Sequence, residues 1–259
     1  MIIIMTVNSV GAFSIAADAA DAAGPDGWLA VAITGILNII AALIIVRLNS
    51  RFPGETFAEY SQTIIGTIPG KLLTSLYAVY LLLVIAYVTR VFTEVVKMFL
   101  LFRTPTEVIM LSLILVCTYT VRGGAECVAR INELLFPILF IPLLLVMLFG
   151  LPITDFSNLR PVLQTPPDKI LAAVPSLIFN FGGIEVVLFY IGFMKNPGKA
   201  YKPVILGTLF TALFFVMVTA FCTAAYGPKA VTTFIWPLVV YIRKISLPGL
   251  FIERLDGVM

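Results

Sequence analysis

Phe179-Asn180-Phe181-Gly182-Gly183-Ile184-Glu185 interrupts an otherwise apolar segment that runs roughly from Ile170 to Met194. Two adjacent glycines weaken a helix by about 1 kcal/mol each relative to alanine. Glu185 places a carboxylate where a lipid-facing helix would have hydrocarbon, at a cost of about 2.5–3.5 kcal/mol on insertion scales. An intramembrane ionisable residue is read as functional by default, and interrupted helices near the midplane mark the binding sites of many secondary transporters. A face of small residues for close helix packing is the competing explanation of the glycines. Asn180 and Glu185, within five residues of each other, weigh against it.

Working outward, the whole chain is 60% hydrophobic and only 12% charged. A soluble domain carries about 25% charged residues, so the chain is an all-α polytopic membrane protein. The net charge of +3 reports orientation rather than a nucleic-acid partner, and no basic stripe with interleaved aromatics is present. The chain has no histidine, which removes imidazole metal sites and histidine relays. Cys117, Cys127 and Cys222 are far apart and lack metal or redox spacing. No Ser-His pair or phosphate loop occurs, so neither a catalytic constellation nor a cofactor is expected.

About 20 apolar residues span a bilayer core. Seven segments approach that length, at roughly 2–20, 28–48, 70–101, 106–122, 128–150, 170–194 and 202–225. Residues 229–246, with Trp236 and Tyr241, read as a helix near the interface. Arg47, Arg51, Lys71, Arg122, Arg130, Lys195, Lys199 and Lys202 border alternate loops, against Lys97, Arg103, Arg160 and Lys169 on the other side. That asymmetry places the N-terminus in the cytoplasm. The Pro-rich loop at 150–169 separates five spans from the remainder, and the only low-complexity run is the Ala/Asp stretch at 16–23.

The first segment has an interruption of its own, Asn8-Ser9-Val10-Gly11-Ala12-Phe13-Ser14. Segments one and six are offset by five spans, so they insert in opposite directions, as in inverted repeats whose broken helices meet at the midplane. Freed backbone groups there need partners that lipid cannot supply, and a ligand can. Tyr87 lies near the middle of segment three and is a candidate for the same pocket. Arg90 and Glu94 are spaced to pair on one helix face, as a neutralised pair or as a gate. Arg130, Asn132 and Glu133 open segment five, either as structural snorkelling residues or as an inner gate. Glu55, Glu59 and Asp155 fall in loops.

These residues sit inside a wider pattern: Gly27-Trp28-Leu29-Ala30-Val31, Arg51-Phe52-Pro53-Gly54-Glu55-Thr56 with Glu59-Tyr60, Arg122-Gly123-Gly124-Ala125-Glu126, Arg130-Ile131-Asn132-Glu133-Leu134-Leu135-Phe136-Pro137, Asp155-Phe156-Ser157-Asn158-Leu159-Arg160-Pro161-Val162, Phe181–Glu185 and Glu253-Arg254-Leu255-Asp256. In that order, over nearly the whole chain, they resemble the spore germination permease family, the B subunits of endospore nutrient germinant receptors in the amino acid–polyamine–organocation superfamily. The resemblance implies a LeuT-like inverted-repeat fold in one transmembrane domain. Residues 1–150 would form the first five-helix repeat and 168–259 an incomplete second one, with about seven of ten spans present and the chain truncated at its C-terminal end. It implies a pocket for an amino acid or similar small nutrient between helices one and six. Asn8, Ser9, Gly11, Phe13, Tyr87, Phe179, Asn180, Phe181, Gly182, Gly183 and Glu185 are the residues expected to line it. It further implies a multi-pass location in the inner membrane of a bacterial spore, with A and C receptor subunits as partners. A proton- or sodium-coupled amino acid permease is the alternative function.

Overall fold

A computed structural model describes residues 1–8, 11–160, 163–194 and 197–244. The chain forms helices α1 (Ile2–Val7), α2 (Gly11–Ala23), α3 (Gly27–Asn49), α4 (Phe57–Ile65), α5 (Thr67–Phe99) and α6 (Thr106–Arg122). Then follow α7 (Gly124–Phe149), α8 (Pro167–Ile178), α9 (Val186–Tyr190), α10 (Tyr201–Tyr226), α11 (Pro228–Val231) and α12 (Pro237–Lys244). No strand occurs among the described residues. Each expected apolar segment is helical over most of its described residues. Among the described residues, four helical stretches are long and apolar enough to cross a membrane, and a bent pair, 167–181 with 186–193, makes a fifth if it is one span.

The boundary between the first two spans differs from expectation. Residues 21–23, which fall between the segments expected at 2–20 and 28–48, are helix, and the turn shrinks to the 3-10 segment Gly24–Asp26. Alanine is the strongest helix former, and the run also supplies a packing surface: Ala16 and Ala19 are fully buried. Small side chains let the chain fold back tightly, so a Cβ on Gly27 would sit 2.5 Å from the Ala19 carbonyl oxygen.

Three neighbour pairs fix the direction of packing. Ile3 lies beside Gly207, Asn8 beside Thr211 and Gly11 beside Phe215. The first span therefore runs parallel to α10. α3 runs the other way, with Gly35 against Ala212 and Val46 clustered with Ala200 and Val204. α8 completes the central body, contributing Ala173 and Leu177 to a core shared with Ile15, Val31, Phe181, Phe215 and Val218. α12 seals one end through Tyr241, which is fully buried and shares a hydrogen bond of 3.1 Å with Thr154.

α5 stands at the edge of this body. Its 33 residues span about 50 Å at the helical rise, and its apolar side chains, such as Leu76, Leu82, Leu83 and Ile85, are exposed. α4 packs on it with a capping box, Thr56 with Glu59, so Glu59 is a helix-capping residue and not a loop charge. α7 carries Pro137 and Pro142 in its interior, positions where a backbone hydrogen bond is lost.

Candidate functional site

Both expected interruptions are present. The sixth span stops as a regular helix at Ile178, continues as a 3-10 turn through Phe181 and resumes at Val186, with a 46° bend across the break. Gly182 is extended, with ψ 149°. Gly183 has φ +103°, a conformation that glycine adopts at no steric cost. In the first span, α1 gives way at Asn8 and α2 begins at Gly11. Ser9, also expected at the site, lies outside the described residues.

The two breaks cross, antiparallel, at van der Waals distance. A side chain on Gly11 would run into the backbone carbonyl of Asn180, and one on Gly183 would meet Thr6 Cγ2 at 2.9 Å. Each glycine thus admits the other span's backbone. Around the crossing the polar groups answer one another. The Ser14 hydroxyl donates to Asn180 Oδ1 at 2.9 Å, and Asn180 Nδ2 donates to Asp18 Oδ2 at 2.9 Å. Asn180 is only 9% exposed, so this pair of bonds fixes its amide. On the other side of the break, Glu185 Oε2 accepts the Gly183 N–H at 2.8 Å and Oε1 accepts the Tyr80 hydroxyl at 3.1 Å. No basic side chain forms an ion pair with Glu185 or Asp18 among the described residues. Asn8 Nδ2 donates to the Ile4 carbonyl at 2.7 Å and to Thr211 Oγ1 at 3.2 Å. Its Oδ1 is buried without a partner among the described residues.

Asn8, Gly11, Asn180, Phe181, Gly183 and Glu185 therefore gather at or beside the crossing. Phe181 is 2% exposed and packs edge-on against Phe215, with ring centroids 4.8 Å apart. Phe13 packs against the same core. Gly182 is exposed. Two of the residues expected to line the pocket lie away from the crossing. Phe179 is 87% exposed, because the 3-10 turn rotates it away from the first span while Asn180 and Phe181 turn inward. Tyr87 is exposed, and the tyrosine that reaches the break is Tyr80, two turns earlier on the same face of α5. Arg130 pairs with Glu126 at 2.6 Å, and Glu133, one turn in the opposite direction, is exposed. Arg90 and Glu94 pair at 2.6 Å on the outer face of α5. Arg130 and Glu126 line an open groove of about 470 Å³ with Gly123, Cys127, Ile131 and Leu134, separate from the crossing.

Asp18 and Tyr80 were not singled out from sequence. Asp18 lay in a low-complexity run that reads as a surface turn, and Tyr80 is one of several tyrosines on α5. Their common signal is a polar atom on the face that a broken neighbour would cover. That signal appears only once the register between the spans is known.

The fold and site define a multi-pass membrane protein built around two interrupted, antiparallel helices, with carboxylates at the break that have no ion-pair partner among the described residues. The sequence profile described as "Spore germination protein" matches residues 1–259, and the chain belongs to that family. It is similar to spore germination protein YndE of Bacillus subtilis (strain 168), 34% identical over 233 residues, covering 90% of this chain and 64% of the relative. It is also similar to spore germination protein A2 of the same organism, 30% identical over 90% of this chain and 64% of the relative. Spore germination protein B2 is 28% identical over 97% of this chain and 68% of its own length. The chain thus spans about two thirds of the length of these relatives.

Proposed function

We propose that this chain is a membrane subunit of a nutrient germinant receptor, and that a small amino-acid-like germinant binds where the first and sixth spans break. The observation that carries the reading is the reciprocal crossing. Each break lies against the other's glycine, and the polar groups left there (Asn8 Oδ1, the Asn180 amide, the Gly183 N–H and the Glu185 carboxylate) face protein instead of lipid. Backbone N–H groups suit the ligand carboxylate, and an unpaired acid suits its ammonium group. The LeuT-like inverted repeat, the A and C subunits as partners, and a spore inner-membrane location with a cytoplasmic N-terminus belong to this reading. Arg90–Glu94 and the Arg130 region would act as outer and inner gates.

The absence of a basic partner for Glu185 among the described residues favours one second reading, a coupled amino acid permease in which this carboxylate carries a proton. Spores carrying Asn180→Ala or Glu185→Gln in the full receptor separate the possibilities. Receptor function predicts loss of nutrient-triggered germination, together with loss of the ligand-induced rise in melting temperature. Germination and thermal shifts that persist in both variants would remove the pocket. Concentrative uptake by the chain alone in proteoliposomes would favour the permease.

A further inference from the structure

Glu185 already occupies the place that a ligand carboxylate would seek. Its Oε2 takes the Gly183 N–H at 2.8 Å, and its Oε1 is held by Tyr80 at 3.1 Å. An incoming carboxylate that bonds Gly183 must displace it. The displaced group then needs a new donor, because an ionised carboxylate without one is strongly disfavoured away from water. One is at hand. The Tyr77 hydroxyl is buried and has no hydrogen-bond partner among the described residues. Tyr77 lies one turn before Tyr80 on α5, and its ring is 5.8 Å from Phe189, which lies one turn after Glu185. α5 and the second half of the sixth span therefore present two phenols in register with one carboxylate. A buried hydroxyl left unbonded costs about 1–3 kcal/mol, so Tyr77 is poised to gain from a change that Tyr80 loses by.

We propose that Glu185 is a built-in occupant of the break with two stations. It holds Gly183 and Tyr80 in this structure, and it passes to Tyr77 when a free carboxylate takes the Gly183 N–H. The hand-over links occupancy of the break to α5. Through the Tyr77, Phe57 and Tyr60 rings, with neighbouring centroids 5.3 and 5.6 Å apart, it also reaches α4. The ligand part of this inference rests on the proposed germinant pocket, whereas the existence of the second station does not.

The test is fluorine NMR of the full chain in lipid nanodiscs, with 3-fluorotyrosine incorporated at position 77 or at position 80. Tyr80→Phe removes the first station and needs no ligand, so the label at 77 is expected to shift to a hydrogen-bonded position. In the parent chain, an equimolar mixture of neutral amino acids is expected to move both labels in opposite senses, and the corresponding amino acid amides to move neither. Tyr77→Phe breaks no bond present in this structure. It is expected to keep or raise the melting temperature, since it removes an unbonded buried hydroxyl, while abolishing the response of the label at 80. A label at 77 that does not respond to Tyr80→Phe overturns the two-station proposal. A response to Tyr80→Phe without any response to amino acids upholds the stations and removes the amino-acid pocket.

Discussion

Gly11 lies directly against the backbone carbonyl of Asn180, so that the crossing of the two broken spans has room for a hydrogen and nothing larger. A Cβ there would meet the carbonyl oxygen and would also lie 3.2 Å from Phe215 Cζ. Backbone cannot rotate out of the way as a flexible side chain can. Gly11→Ala is therefore expected to destabilise the protein by about 1–3 kcal/mol, the range for overpacking a filled interior. Gly183→Ala should do at least as much, because it adds strain at φ +103° to contact with Thr6. Gly198, which has nothing within 4 Å of an added Cβ, is the control. Thermal unfolding in detergent should show lowered midpoints for the first two variants and no change for Gly198→Ala.

The Ser14–Asn180–Asp18 chain gives a second expectation, one that depends on charge. Asn180→Asp replaces the donor that faces Asp18 Oδ2 at 2.9 Å with another acceptor. Two carboxylates at that separation cannot both ionise without cost. Stability should fall by about 1–3 kcal/mol. Asp18→Asn in the same chain should recover at least half of it, because it restores one donor between the pair. A double-mutant cycle on unfolding midpoints measures the coupling. Additive effects would mean that the bond does not bind the two spans together.

These pairs also show how far the sequence could be read. Gly182, Gly183 and Glu185 located a break because each is unfavourable in a lipid-facing helix, a property visible one residue at a time. Tyr80 was not legible in that way. Tyr77, Tyr80 and Tyr87 recur along α5 at helical spacing, and which one meets residue 185 depends on the register of two helices about a hundred positions apart. Phe179 was misplaced for a local reason. The change from α-helix to 3-10 turn at Phe179–Phe181 alters the rotation per residue, and hydrophobicity carries no signal for it. Asp18 was hidden by composition, since an Ala/Asp run looks like a turn until its alanines are seen packed. For Arg130, acids lie within reach on both sides of it, four residues earlier at Glu126 and three later at Glu133. Spacing alone does not choose between them.

Asp26 supplies a pH-dependent test at the turn between α2 and α3, beyond the end of either helix. Its carboxylate is fully buried and accepts the N–H groups of Leu163 at 2.7 Å and Thr165 at 3.0 Å. Burial pushes the carboxyl upward, but the hydrogen bonds from Thr165, Leu163 and Gln164 outweigh it and hold the group below its ordinary value of 3.8. A carboxyl lowered by folding adds stability above that ordinary value, and the contribution is lost as pH falls through the folded-state pKa. Unfolding midpoints of the parent chain should therefore decline as pH drops below about 4, a decline that Asp26→Asn should reduce. Asp26→Ala should cost about 1.5–3 kcal/mol near neutrality, the range for hydrogen bonds to a charged group. Equal pH profiles for the parent and Asp26→Asn would show that the 163–165 segment is held by other contacts.

The short helix α4 depends on a single reciprocal cap. Glu59 Oε2 accepts both the backbone N–H of Thr56 at 2.7 Å and its hydroxyl at 2.8 Å. Those two bonds hold the Glu59 carboxyl below its ordinary value of 4.5. The helix they start carries Phe57 and Tyr60, and Phe57 stands 6.0 Å from Phe189 of the sixth span. Fraying of the cap should therefore loosen the contact between α4 and the broken helix without disturbing the central body. Thr56→Val is expected to raise amide hydrogen exchange over residues 57–60 about fivefold, the factor implied by loss of a helix N-cap. Exchange in α3 and α10 should stay at the parent level. Acidification through the lowered pKa of Glu59, beneath its ordinary value of 4.5, should raise exchange in the parent chain in the same sense, since a protonated Glu59 accepts these bonds weakly. Increased exchange spread evenly over α3 and α10 would show instead that α4 is part of the central cooperative unit.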